Sequence, residues 1–159
     1  MKEGIVRKYQ IQMLADLTAE VFRMPKKRVR TLENYARLTK EAMAFGVADP
    51  ALIYERSYLV GERLRQLLRL RTPQAKQRLI AWLYRNIGIS VKLQLPGEFL
   101  VEGCYFSRVY TPAECALMSA MDSGIVSGIW GGGKLVFSER LTEGCGRCLA
   151  CLQEGEQDE

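Results

Sequence analysis

The chain has 159 residues, 48% of them apolar, and a formal net charge of +5. That length suits one domain with a sizeable core, and no run approaches the ~18 consecutive apolar residues that a membrane span needs. There is no histidine, which removes Zn–His sites, Cys–His dyads and Ser-His-Asp triads together.

The N-terminus, Met1-Lys2-Glu3-Gly4, carries no apolar signal core, so the expectation is a cytoplasmic protein. In a reducing compartment five cysteines, an odd count, point to metal binding or catalysis and away from disulfides. Charge is split along the chain: residues 1–92 hold 19 Lys/Arg against 8 Asp/Glu, and residues 93–159 hold 4 against 10. The basic half suits nucleic acid or another acidic partner. The plainer readings are a solvated face, packing against the chain's own acidic half, or a homo-oligomer, so nucleic acid is not an expected partner.

In chain order, Ile11, Leu14, Leu17, Val21 and Phe22 recur at helical spacing and predict a helix over 5–22. Pro25, in a run of basic residues, ends it. A second helix is expected from Leu32 to Phe45, with Thr31 as N-cap and Gly46 as stop. Asp49-Pro50 and Thr72-Pro73 are N-cap and first-turn pairs that open helices to about Leu70 and to Asn86. Leu17–Tyr35 also admits a helix-turn-helix reading, against which stand Pro25 and the basic turn.

After Gly88 the period changes to two: Ile89–Leu95 reads as a strand, Pro96-Gly97 as a turn, and Phe99–Phe106 as the second arm of a hairpin. Thr111-Pro112-Ala113-Glu114 is a capping box that opens a helix to Gly128. Gly131-Gly132-Gly133 is a turn without the phosphate-loop pattern, and Lys134–Leu141 is a third strand. The expected fold is α+β: a helical group over 1–88, then a small mostly antiparallel sheet with a covering helix over 89–152, then an acidic tail over 153–159.

The densest signal is Cys145, Cys148 and Cys151, a C-x2-C-x2-C run. Bacterial ferredoxin runs begin this way and continue to a fourth Cys before Pro, whereas Leu152-Gln153-Glu154-Gly155 follows here. The pattern points to an iron–sulfur cluster, 4Fe–4S by ligand number, with zinc as the alternative. The fourth ligand is then Cys104 or Cys115, or the fourth position is open. If the strands ending at Phe106 and Leu141 are antiparallel neighbours, their C-terminal ends point apart, which favours Cys115. Cys115 also stands in the first turn of a helix, where thiolates are stabilised. That same placement suits a nucleophile, with Asp122 or Glu139 assisting; the plain alternative is a small core residue.

Cys104, Tyr110-Thr111-Pro112, Cys115, Asp122 and Glu143-Gly144-Cys145-Gly146-Arg147-Cys148 resemble the C-terminal part of the L-2-amino-thiazoline-4-carboxylate hydrolase-like proteins. The wider 4-vinyl reductase-like group is similar in carrying cysteines late in a small α/β domain. The resemblance covers roughly residues 100–150 and implies a helical front, a small sheet behind and a small-molecule substrate. The C-x2-C-x2-C run departs from the hydrolase pattern. The leading expectation is therefore a metal-binding protein serving redox, sensing or structure, with a redox partner or small-molecule ligand. The alternative is a hydrolase-like enzyme with a cysteine nucleophile, and a nucleic-acid-binding regulator comes third.

Overall fold

The computed structural model describes residues 2–45, 49–94 and 97–154. The expected stop at Gly46, the turn residue Pro96 and the tail beyond Glu154 lie outside these. Four helices come first: α1 (Lys2–Val21), α2 (Leu32–Ala44), α3 (Pro50–Leu67) and α4 (Pro73–Asn86). Then follow strands β1 (Ile89–Gln94) and β2 (Glu98–Cys104), helix α5 (Pro112–Trp130), and strands β3 (Lys134–Glu139) and β4 (Cys148–Gln153). The fold is α+β. Among the described residues, no helix is long and apolar enough to cross a membrane.

The helix starts follow the capping chemistry. Thr31, Asp49, Thr72 and Thr111 each accept a hydrogen bond from a first-turn N–H, and Glu114 closes the box at Thr111. α1 buries Ile11, Leu14, Ala15, Thr18 and Ala19, one stripe at helical spacing. The residues after Pro25 do not make a tight turn. Residues 24–30 form no regular element, and Gln12 fastens them to α1 by donating to Lys27 O (2.8 Å) and accepting from Val29 N–H (2.7 Å). A helix-turn-helix needs a short turn at this point.

The sheet has four strands in the order β1-β2-β4-β3, all neighbours antiparallel. The three-strand expectation missed β4, which inserts between β2 and β3. Its inner residues Cys148 and Ala150 are buried, whereas Cys151 and Gln153 are exposed. α5 lies against β3 as the expected covering helix, and α4 meets β1. Ser123 of α5 donates to Leu135 O (3.0 Å) and accepts from Leu135 N–H (3.1 Å), which satisfies backbone groups of edge strand β3.

α5 is apolar nearly all round and is accordingly buried: Met118, Met121, Ile125, Val126 and Ile129 are each under a tenth exposed. Its other side meets α3 at backbone distance. A methyl group at Gly128 would stand 2.2 Å from Tyr58 O, one at Gly124 2.4 Å from Tyr54 O, and one at Gly61 of α3 2.2 Å from Ile125 O. Those neighbours are backbone and cannot swing aside.

Two glycines therefore respond oppositely to the same change. Helix propensity favours alanine over glycine by about 1 kcal/mol, and at Gly4 of α1 nothing lies within 4 Å of the added methyl. Gly4→Ala should raise stability by up to about 1 kcal/mol. Gly128→Ala should lower it by about 2 kcal/mol, because overpacking outweighs propensity. Urea unfolding of both variants checks this; a neutral Gly128→Ala would mean the two helices do not touch this closely.

Candidate functional site

Between α5 and the inner face of the sheet lies a cavity of about 70 Å³. Cys104, Cys115, Ser119, Asp122, Arg140 and Cys148 line it, with Tyr84 and apolar side chains completing the wall. The polar residues come from separate parts of the chain and arrive for separate reasons.

Cys115, Ser119 and Asp122 are four and seven residues apart on α5, so one face of the helix carries all three. Cys104 ends β2, and a 3-10 turn, Tyr105–Arg108, follows it. That turn is anchored by Phe106, which is buried, edge-on to Tyr35 (centroids 5.9 Å) and stacked on Tyr110 (5.0 Å). Tyr110 shares a hydrogen bond with Thr39 of α2, and Lys40 donates to Val109 O (2.9 Å). The segment joining Cys104 to Cys115 is thereby held on α2. Cys148 opens β4, with the Leu141 N–H donating to its Sγ (3.3 Å).

Asp122 is the most perturbed acid. It borders the cavity and also a small void among Leu14, Leu17, Leu83 and Ile125, so its charge is poorly solvated. Burial raises its pKa from 3.8 to about 6, against the opposing hydrogen bond donated by Tyr84 Oη to Oδ1 (2.8 Å). Burial also pushes Cys104 up to about 11, although the backbone N–H groups of Ser107 and Phe106 favour its thiolate. Cys148 is raised by burial too, with the Leu141 N–H and then the Arg140 charge acting the other way. Cys104 and Cys148 are thus thiols at neutral pH. Ser119 donates to Cys115 O (2.8 Å) and accepts from Arg140 Nε (3.5 Å). Arg140 also lies over the Phe137 ring, 5.0 Å from its centroid, and 3.6 Å from Glu143.

The cysteine triplet separates. Side chains three apart on a strand point to opposite faces, and accordingly Cys148 is buried and Cys151 is exposed. Cys151 sits between Glu98 and Val136 on the outer face. Cys145 is in the turn before β4, its N–H bonded to Arg140 O (3.2 Å), and does not line the cavity. One cluster held by all three is therefore not compatible with this arrangement. Among the described residues no three Cys, Asp or Glu groups are grouped to hold a metal ion. The strand-direction argument for Cys115 over Cys104 also loses its basis. With β4 between β2 and β3, Cys104 and Cys148 come to the same end of the sheet, since Val101 pairs with Cys148.

Glu139 stands apart as well. It pairs with Arg147 at 2.9 Å, and that hydrogen bond holds its carboxyl below the usual range. It does not line the cavity. Tyr84, Ser119 and Arg140 were not singled out in the sequence. Ser119 carries a readable signal, its place between Cys115 and Asp122 on one helical face; Tyr84 and Arg140 carry none. No family model, curated protein or solved structure matches the chain.

Asp122 sets a pH dependence whose sign is fixed. Between its ordinary 3.8 and about 6 the folded chain holds a proton that the unfolded chain has released. Stability is thus fully present below this window, falls as pH rises through it, and levels off above, by about 3 kcal/mol in all. Asp122→Asn keeps an acceptor for Tyr84 but cannot ionise. It should match the parent near pH 3.5 and exceed it by about 1–3 kcal/mol at pH 8. Urea midpoints across that range measure the difference; a variant less stable than the parent at pH 8 contradicts the buried-charge account.

Proposed function

We propose that the chain is a cysteine-dependent protein acting on a small molecule, hydrolase-like in chemistry, with Cys115 as nucleophile and Asp122 holding the far end of the substrate. The observation that carries this reading is the meeting of Cys104, Cys115, Asp122 and Cys148 in one cavity. Those are also residues on which the resemblance to the hydrolase-like proteins rests. Cys115 stands in the first turn of α5. The other two thiols are held protonated by burial.

Seven residues of helix put Cys115 and Asp122 about 10 Å apart along the axis. A substrate lying along α5 would meet the thiol at one end and the carboxyl and Tyr84 at the other. The Cys115 sulfur adds to an electrophilic carbon, forming a C–S bond. The bond to the leaving group breaks, and the leaving group takes the proton that the Cys115 thiol gives up. Water then cleaves the acyl–sulfur adduct: its hydroxyl goes to the acyl carbon and its remaining proton returns to the Cys115 sulfur.

p-Nitrophenyl acetate tests the nucleophile without knowledge of the natural substrate. A burst of nitrophenol with acetylated Cys115 in the mass spectrum is expected. Cys115→Ala should abolish the burst, and Cys145→Ala and Cys151→Ala should preserve it. A burst that survives Cys115→Ala removes this assignment.

The convergence of three thiols also supports a second reading, a soft metal ion or iron–sulfur group taken by Cys104, Cys115 and Cys148 after rotation of their side chains. Metal analysis of anaerobically purified protein separates the two. Under this second reading metal is lost in the Ala variants of Cys104, Cys115 and Cys148 and retained in those of Cys145 and Cys151.

A further inference from the structure

A groove of about 690 Å³ runs along the other side of Cys104. Its walls include Arg85 from the end of α4, Ser90 and Gly103 from the β1–β2 hairpin, and Tyr105 and Arg108 from the turn after β2. Cys104, Ile89 and Val91 line both this groove and the thiol cavity, so Cys104 forms part of the wall of each. Two features give the groove a chemical character. No acidic residue lines it, and among the described residues neither Arg85 nor Arg108 is ion-paired. The nearest acid on the hairpin, Glu102, is occupied by Lys92 at 2.6 Å. Gly103 adds open space, with nothing within 4 Å of where a side chain would begin.

We infer that this groove is the binding site for a phosphate group on the substrate, held by Arg85 and Arg108 while the rest of the molecule passes Cys104 into the cavity. The reading rests on the proposed small-molecule site and names its substrate class: an elongated phosphomonoester with its reactive end remote from the phosphate. Two guanidinium forks supply the two positive charges and the planar donors that a dianionic phosphate takes. The groove volume falls within the range of sites for molecules of that size, which the cavity alone does not.

Inorganic phosphate is the probe, and Cys104 is the reporter. Iodoacetamide labelling of the full chain at pH ~9.5, where enough Cys104 thiolate forms to react, resolved cysteine by cysteine by mass spectrometry, should slow at Cys104 when phosphate is added at fixed ionic strength. Labelling of Cys145 and Cys151 should not change. Arg85→Ala/Arg108→Ala should raise the half-protecting phosphate concentration roughly tenfold or more, through loss of charge-assisted hydrogen bonds. Arg85→Lys/Arg108→Lys, which keeps the charge and loses the forks, should fall between. Both arginines are exposed, so these variants fold. Protection no greater than chloride gives, or protection unchanged in the Ala variant, overturns the inference. Succinate protecting as well as phosphate overturns the phosphate assignment. None of these outcomes depends on Cys115, so the nucleophile can fail while the groove stands, or the reverse.

Discussion

The backbone contact between α3 and α5 is the constraint on which the other layers depend. Gly61, Gly124 and Gly128 bring the two helices closer than any side chain allows, so small residues at this crossing set how far α5 stands from the sheet. α5 turns about 100° per residue, which places Gly124 and Gly128 on one side and Cys115, Ser119, Asp122 and Val126 roughly half a turn away. The face that fixes the helix is thus opposite the face that carries the chemistry. A displacement at the glycines is transmitted to the cavity as a change in its depth.

A second set of contacts fixes the ends of the site. Phe106 inserts between Tyr35 and Tyr110, and Tyr35 shares a hydrogen bond with Thr18 of α1 (3.0 Å). Each ring is tied to a different helix, so Cys104 and Cys115 are registered to α1 and α2 as well as to the sheet. Asp122 is positioned by the core and works against it. Its carboxyl lies where burial penalises the charged form, with a single tyrosine donor as partial compensation. Removing that ionisation would stabilise the fold, which is the signature expected of a group retained for a reason other than packing.

Most of the fold was legible from local rules. The four N-caps are Thr or Asp, three of them followed by Pro, and the hairpin announces itself through the alternation of Ile89, Val91 and Leu93. β4 was not legible, because Cys148-Leu149-Ala150-Cys151-Leu152 is apolar at every position and shows no alternation. The cysteine spacing then invited a metal-loop reading. The glycines of α5 are four apart, a spacing that a helical reading could have flagged as a close crossing, but their partner Gly61 is more than sixty residues upstream. For the site, Cys104, Cys115, Asp122 and Cys148, all singled out from the sequence, line one cavity, while Cys145 and Cys151 lie outside it. Strand parity decides that grouping: Cys148 belongs with residues 33 and 44 positions earlier and not with its neighbour three positions on.

The protonation states in the cavity then limit what can enter it. With Cys104 titrating near 11, Cys148 also raised and Asp122 near 6, the charge that these groups contribute at neutral pH is the single negative one on Asp122, and the Arg140 guanidinium on the same lining is already engaged by Glu143 and Ser119. A second anion placed beside it would meet repulsion in a poorly solvated space. A cation would be attracted, but three-thiolate coordination would require at least two raised thiols to lose protons next to a carboxylate. A neutral electrophilic end meets neither penalty. The exposed guanidiniums of Arg85 and Arg108 lie outside, on the far side of Cys104. An anionic group on the same molecule is therefore best accommodated there, with Cys104 marking the boundary between the half of the site that accepts charge and the half that excludes it.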